Sequence, residues 1–167
     1  MLLHPLGEKT LTKLTNVEDG DVQPNAVDIR LGKMLRIEAR QPFILHADNT
    51  KEHKSTSVVV PDKDGFYMLA AGTYEFTAQN KITVGEGEAG FVITRSTLNR
   101  NGVFLTSGLY DSGYSGVMAG VMHVTVPFVK IQEGARIGQY LNFKSESIGS
   151  YDGSYGDGKS HDKKYEV

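Results

Sequence analysis

Short apolar segments separated by turn residues recur along most of the chain. They are rich in valine, isoleucine, threonine, phenylalanine and tyrosine, and glycines punctuate the turns between them. The segments predicted to form strands are residues 57–62, 65–78, 81–87, 89–94, 102–107, 116–131 and 135–143. Strands that follow one another every eight to twelve residues or so are typical of sandwiches, jelly rolls and barrels. The pattern therefore predicts an all-β protein.

Two segments have a helical signal. Residues 10–18 can form a helical turn or two near the amino terminus. Residues 95–102 can form a short helix in which Ser96 caps the first turn and Gly102 ends the last one. We expect both to be minor elements of a β fold.

Composition and charge limit the classes of function. A chain of 167 residues is typical of one domain, and its formal net charge of −2 gives no indication of a nucleic-acid groove or a membrane surface. The sequence contains no cysteine, which excludes disulfides and thiolate chemistry. No apolar stretch approaches the ~20 residues of a membrane span, and the amino terminus lacks the apolar run of a signal peptide. We therefore expect a cytoplasmic protein without a nucleic-acid or membrane partner.

The last twenty residues differ from the rest, so we divide the chain into a β domain (1–147) and a flexible, glycine-rich arm (148–167). The arm has too little apolar surface to fold alone, and it is either a disordered tail or a segment that orders over a ligand or a neighbouring subunit. Gly153, Gly158, Lys159 and Ser160 match a P-loop letter for letter. A P-loop must follow a strand and open a helix, however, and too few residues remain for that helix. Glycines beside Lys159 can still wrap phosphate oxygens.

Four polar segments lie beside glycines or at strand ends, where side chains can reach a ligand. They are residues 25–32, 94–102, 108–116 and 134–139. In the second segment, Arg95 offers a rigid fork for phosphate oxygens, and the residues after it add hydroxyls and backbone amides. In the third, Asp111 can accept a proton from water, and Tyr114 can present a flat ring to a sugar.

Taken in order, these segments resemble the trimeric dUTPase and dCTP deaminase superfamily over residues 25–143, with a weaker similarity in the arm. The resemblance implies a distorted jelly roll and a homotrimer with active sites at subunit junctions. It also implies a pyrimidine deoxynucleoside triphosphate as substrate and Mg²⁺ as cofactor. The arm would close over the active site.

The resemblance implies a role for each matching residue. Asp111 corresponds to the catalytic aspartate that activates water, Tyr114 to the aromatic residue that packs against deoxyribose, and residues 106–110 to the hairpin that reads the pyrimidine. Asp28 corresponds to the aspartate near the magnesium site and would act through water. The substrate-binding residues so predicted are Arg95, Ser96, Thr97, Arg100, Ser107, Leu109, Tyr114, Gln139, Tyr155, Lys159 and Lys164.

The acidic residues favour one of the two reactions. Deamination needs a carboxyl group at the base, which the deaminases supply from the strand after the aspartate. Residues 117–132 contain no acid, and Val121 occupies the corresponding position. We therefore predict a dUTP diphosphatase that releases dUMP and pyrophosphate. Arg100 and the segment 27–32 resemble the deaminase branch, so a dCTP deaminase or a bifunctional enzyme is the alternative, and a non-catalytic jelly-roll binding module is the second.

Simpler roles exist for the same side chains. Asp111 and Ser112 can merely begin a turn, since this is ordinary turn chemistry. Asp28 can simply pair with Arg30 or Arg95, and Tyr114 can fill a core or an interface.

Overall fold

Antiparallel strands form most of the regular structure in the computed structural model, which describes residues 1–165. The strands are β1 (Leu2–Leu3), β2 (Lys13–Leu14), β3 (Val27–Ile37), β4 (Ile44–Leu45), β5 (Lys51–Glu52), β6 (Thr56–Val59), β7 (Phe66–Thr83), β8 (Glu88–Thr94), β9 (Val103–Thr106), β10 (Ser115–Gln132) and β11 (Arg136–Lys144). One α-helix, α1 (Ser96–Asn99), and two 3₁₀ turns (Asp19–Asp21 and Ser160–Tyr165) complete the regular elements of this part of the chain. The last two residues of the predicted arm, 166 and 167, lie outside the described residues.

Strand β3 connects two halves of a curled sheet. The main path of paired strands runs β1-β11-β3-β7-β10-β9, with β2 on β7, β6 on β3 and β8 on β11. The first part of β3 pairs with β11, whereas the part from Leu31 onward pairs with β7 and β6, and the register with β7 shifts between Leu31 and Met34. A Cβ at Gly32 would lie 3.0 Å from Thr77 Oγ1, so the backbones approach closely at this bend.

The inner faces of these strands form one apolar core. Its fully buried side chains include Ile29 and Met34 from β3, Phe76 from β7, Met122 from β10 and Tyr140 from β11. In β8 and β9 alternate residues face this core, as the two-residue period of a strand requires, whereas β3 also buries neighbouring residues. The predicted all-β, distorted jelly-roll architecture is confirmed.

One of the two helical predictions is wrong. Residues 10–18 contain no helix, because Lys13 and Leu14 pair with Thr83 and Ile82 of β7. The helix at residues 95–102 exists, but Arg95 is its N-cap residue and makes no side-chain capping bond, so Ser96 is the first helical residue. Gly102 follows the helix with φ +74°, as the prediction requires.

The strand predictions miss the short strands β1, β2, β4 and β5, and they differ from the structure at two of the long strands. The pattern separates segments 65–78 and 81–87 at a polar stretch, but β7 runs through it because buried Asn80 is fully bonded. Its Oδ1 accepts from the Arg30 amide at 3.0 Å, and its Nδ2 donates to two carbonyls at 3.0 Å. The pattern does not predict β3 at all, since Arg30, Lys33 and Arg36 interrupt its apolar residues. None of the helices in residues 1–165 has the length and apolar character that a membrane span requires.

Candidate active site

A buried carboxylate surrounded by donors joins three of the predicted polar segments. Asp28 of β3 is fully buried, and the β3–β11 register places Gln139 directly opposite it. Gln139 Nε2 donates to Asp28 Oδ1 at 3.1 Å, and the Arg95 guanidinium donates to Oδ2. Arg136 Nη1 lies 3.4 Å from the same Oδ2. We call Asp28, Arg95, Arg136 and Gln139 the Asp28 cluster.

The Asp28 cluster carries a net positive charge at its surface. One buried carboxylate faces two guanidiniums, whose side chains are 25% exposed for Arg95 and 40% for Arg136. Burial and the nearby Arg136 guanidinium both lower the pKa of Arg95, which reflects two cations held close together. Such a pair of arginines, fixed from behind by an acid, suits the multiple oxygens of a phosphate chain.

The other predicted phosphate-binding residues lie on α1. Ser96 and Thr97 form its first turn, directly after Arg95, and Arg100 follows its last residue. All three are exposed. They are therefore accessible to a ligand bound at the Asp28 cluster.

The hairpin between β9 and β10 holds Asp111 at its tip. Ser107 Oγ accepts from the Val92 amide at 2.9 Å and donates to the Gly108 carbonyl at 2.9 Å, which ties the hairpin to β8. Leu109 is 58% exposed. Asp111 accepts the Tyr114 amide through its main-chain oxygen at 3.0 Å, while its exposed carboxylate makes no bond to any side chain or amide of residues 1–165.

A cavity of about 410 Å³ lies against this hairpin. Its walls come from the hairpin, from β7 and β10, from Ile37 at the end of β3, and from the C-terminal segment, by which we mean residues 148–165. The volume is in the usual range for small-molecule sites. The lining residues are Ile37, Glu75, Gly108, Leu109, Tyr110, Tyr114, Ala119, Gly120, Val121, Tyr151, Tyr155, His161, Asp162 and Tyr165.

The cavity brings together Leu109, Tyr114 and Tyr155 of the predicted substrate-binding residues. Tyr114 is buried, donates its hydroxyl to the Val117 carbonyl at 3.2 Å, and lies 5.2 Å from the Tyr110 ring. Burial raises its pKa, so it is a neutral, apolar wall. No residue of the Asp28 cluster lines this cavity, so a single chain does not unite the two groups.

The C-terminal segment lies across the cavity of its own chain. The Tyr151 amide donates to the Ser112 carbonyl at 2.8 Å, and the Asp157 amide to the Ser115 carbonyl at 2.8 Å. Lys159 Nζ lies 3.5 Å from Asp152, within the segment itself. Lys164, another predicted substrate-binding residue of the arm, pairs with Glu75, and its Nζ lies 2.6 Å from Glu75 Oε2.

Glu75 and His161 are not predicted from the sequence. Glu75 alternates with the core residues Tyr74 and Phe76, so its position indicates a solvent-facing residue. The β7–β10 register pairs it with Val121, the position where the sequence lacks an acid. His161 contacts Tyr155 with ring centroids 4.6 Å apart. The sequence signal that could have indicated both residues is the group of tyrosines in the C-terminal segment. A buried tyrosine needs apolar neighbours for its ring and a hydrogen-bonding partner for its hydroxyl.

The contacts that Asp28 makes with the described residues do not fit a metal site. The Asp28 oxygens accept from Gln139, Arg95, Arg136 and Gln23, the last at 3.2 Å, and its single negative charge already faces two guanidiniums. Nor do residues 1–165 contain any group of three or more metal-ligating side chains suited to an ion. The contacts favour an ion-pair role for Asp28, and Arg30 pairs with Asp21 instead at 2.8 Å.

Comparisons with known proteins define the class to which this small antiparallel β domain belongs. The family model described as dCTP deaminase-like matches residues 3–145. The chain therefore belongs to the dCTP deaminase-like family.

Several relatives are named for one of two activities. A probable deoxyuridine 5′-triphosphate nucleotidohydrolase from Halobacterium salinarum is 33% identical over 83% of this chain and 85% of its own length. The corresponding protein of Methanocaldococcus jannaschii is 30% identical over 84% and 90%. A dUMP-forming dCTP deaminase of Persephonella marina is 31% identical over 75% and 71%.

Solved structures share the fold. The 2′-deoxycytidine 5′-triphosphate deaminase of Agrobacterium tumefaciens matches 78% of this chain with a TM-score of 0.58 and 16% identity, and the match spans 43% of that longer chain. A mutant dUTPase from phage phi11 of S. aureus, whose structure describes a structural Mg(II) ion, matches 86% of this chain and 97% of its own with a TM-score of 0.52 and 10% identity.

Proposed function

We propose that this protein is a dUTP diphosphatase that hydrolyses dUTP to dUMP and pyrophosphate. The observation that carries the proposal is the cavity, which has the predicted hairpin and Tyr114 in its walls and Val121 at the position where a deaminase needs an acid. An apolar pocket of about 410 Å³ suits a pyrimidine nucleoside, which the hairpin backbone can read by its polar edge. Relatives named for the same activity support the proposal.

In the proposed reaction, the hairpin at the cavity and the Asp28 cluster have different roles. In the proposal, Asp111 accepts a hydrogen bond from the attacking water and orients it toward the α-phosphorus, which its exposed carboxylate permits. Arg95 and Gln139 bind the phosphate oxygens, and the charge that develops there is stabilised by the two guanidiniums of the Asp28 cluster. Ser96, Thr97 and Arg100 add contacts along the phosphate chain.

Magnesium enters this proposal as part of the substrate. Mg²⁺ keeps several waters and binds substrate phosphates readily, whereas Asp28 is enclosed by cations and amides. We therefore propose that the magnesium complex of dUTP binds, and that the role of Asp28 is to hold Arg95 and Gln139 in position.

A homotrimer would complete the site. Within one chain, no residue of the Asp28 cluster lines the cavity, yet a bound dUTP must touch both the base pocket and the phosphate-binding residues. If the cavity of one protomer faces the Asp28 cluster of its neighbour, one nucleotide can span them. This arrangement also follows from the family resemblance.

Deamination of dCTP is the second candidate, and Glu75 is the observation that favours it. The β7–β10 register places this carboxylate beside Val121 in the cavity wall, where an acid could serve a cytosine ring. Glu75 is engaged by Lys164 and Tyr165, however, so it is not free to shuttle protons while the C-terminal segment is closed. Diphosphatase activity is therefore the better supported proposal.

Product analysis tests the choice directly. We expect the purified protein to release pyrophosphate from dUTP in the presence of Mg²⁺, with little turnover of UTP or dTTP. Ammonia release from dCTP would instead favour the deaminase. If neither product forms but dUTP still raises the melting temperature, the chain is a binding module that retains the fold without the chemistry.

Subunit mixing tests the composite site. Arg95→Ala and Asp111→Asn should each be nearly inactive alone, because they lack different parts of the machinery. In randomly assembled mixed trimers about one quarter of the sites should carry both native residues, since each is present with a probability of about one half. Recovery of about one quarter of the wild-type activity is the expected result. Absence of any recovery in mixed trimers would mean that each site lies within one chain.

A further inference from the structure

Glu75 is the carboxylate that the sheet contributes to the cavity wall, and the proposed reaction does not use it. Its side chain is only 14% exposed. Lys164 Nζ donates to Oε2 at 2.6 Å, and the Tyr165 hydroxyl donates to Oε1. Both carboxylate oxygens are therefore engaged by consecutive residues of the C-terminal segment.

The strand geometry explains why Glu75 reaches the segment. Tyr74 and Phe76 point into the core, so Glu75 points to the opposite face of β7. Its cross-strand partner Val121 lines the same cavity. A largely buried carboxylate in an apolar wall is costly unless it is paired and hydrogen-bonded, and here the partners come from the segment that covers the cavity.

Neighbouring contacts make this attachment specific. Lys33 Nζ donates to the Tyr165 carbonyl at 3.1 Å, which fixes the backbone beside the Glu75 contact. Burial, together with the hydrogen bond to Glu75, raises the pKa of Tyr165, so its hydroxyl remains a proton donor at neutral pH. Lys164 thus supplies a charged donor and Tyr165 a neutral donor, and both are directed at the Glu75 carboxylate.

We propose that Glu75 is a positioning residue that anchors the C-terminal segment over the cavity and thereby retains the nucleotide. The substrate in this statement rests on the proposed function, whereas the anchoring itself does not. Lys164 then acts through Glu75 while the cavity is covered, instead of reaching the phosphates. Glu75 holds the wall of the site without touching the reacting atoms.

Hydrogen exchange in the ligand-free protein tests the anchor without any assumption about activity. The Asp157 amide bonds to the Ser115 carbonyl and loses protection when the segment leaves β10. In Glu75→Gln and in Tyr165→Phe, exchange across residues 151–165 should become about fivefold faster or more, because a charge-assisted bond is weakened or lost. The control Glu133→Gln, an exposed acid in the β10–β11 turn, should match the wild type. Unchanged exchange in Glu75→Gln would overturn the proposal.

Steady-state kinetics then distinguish an anchoring role of Glu75 from a role as a catalytic acid. We expect Glu75→Gln to raise KM for dUTP several-fold while kcat falls much less, and Tyr165→Phe to do the same. The double variant should be no worse than the more impaired single variant, because both remove one interaction. A large fall in kcat for Glu75→Gln with a normal Tyr165→Phe would overturn the anchor and assign Glu75 to chemistry. Absence of dUTP turnover in the wild type would count against the proposed function alone, since the exchange experiment still stands.

Discussion

Replacing Glu88 with glutamine should lower the free energy of unfolding at neutral pH and should lower it much less at acid pH. Glu88 is buried at the start of β8, where it fastens residues 10–12 to the sheet. It accepts from the Leu11 amide at 2.7 Å, from the Thr12 amide at 3.0 Å, and from Asn142 Nδ2 at 2.8 Å. Glutamine keeps the shape but has one acceptor oxygen and adds two donors, which face the donors of its neighbours.

The magnitude follows from the pKa of Glu88. Burial alone would raise this pKa, but hydrogen bonds from Thr12, Asn142, Leu11 and Thr10 outweigh burial and lower it from 4.5 to about 2. One pKa unit is worth about 1.36 kcal/mol, so the ionised form stabilises the native state by about 3 kcal/mol at pH 7. The pKa is lowered on folding, so this stability is present above pH ~4.5 and is lost as the pH falls toward ~2.

Urea unfolding of the wild type and Glu88→Gln at a fixed protein concentration measures the effect. We expect a difference of about 3 kcal/mol near pH 7 that shrinks to about 1.5 kcal/mol near pH 3, from the linkage relation between the two pKa values. Glu86→Gln is the matched control, since Glu86 is an exposed acid in the turn directly before β8. An equal difference for Glu88→Gln at both pH values would refute the charge-based explanation and leave only a packing effect.

Three further substitutions test the candidate site. Asp28→Ala leaves two guanidiniums together without their acid and should cost about 3–5 kcal/mol in urea unfolding; a loss below about 1 kcal/mol would contradict a buried ion-pair role. Gly116→Ala would put a Cβ 2.8 Å from Gly156 Cα, so tryptic cleavage within the C-terminal segment should accelerate, whereas Gly149→Ala, which meets nothing within 4 Å, should not change it. Asp111→Asn should lower kcat for dUTP by about 10²–10⁴ with little change in the Kd of a non-hydrolysable analogue, and unchanged turnover would count against its role.

The sequence predicts the fold class because alternation and turn residues are local signals. It fails where a tertiary partner decides the outcome. Asn80 looks like a turn residue, yet its buried amide bonds to three backbone groups and lets β7 continue. Similarly, the pattern at residues 10–18 resembles a helix, but Glu88, far away along the chain, captures their amides.

The residues of the candidate site likewise divide into those that a local sequence signal reveals and those that depend on a tertiary partner. Residues near glycines and strand ends, such as Arg95 and Gln139, can be found from the sequence and do lie together around Asp28. Glu75 cannot, because nothing local marks a strand glutamate whose partners lie at the other end of the chain. The separation of the cavity from the Asp28 cluster likewise depends on the register of long strands.

The position of bond cleavage tests the proposed reaction most directly. Hydrolysis of dUTP by the wild type should be run in water enriched in heavy oxygen, and both products should be examined by mass spectrometry. Water directed by Asp111 to the α-phosphorus places the heavy oxygen in dUMP and leaves pyrophosphate unlabelled. Heavy oxygen in pyrophosphate, or release of dUDP with labelled inorganic phosphate, would contradict attack at the α-phosphorus.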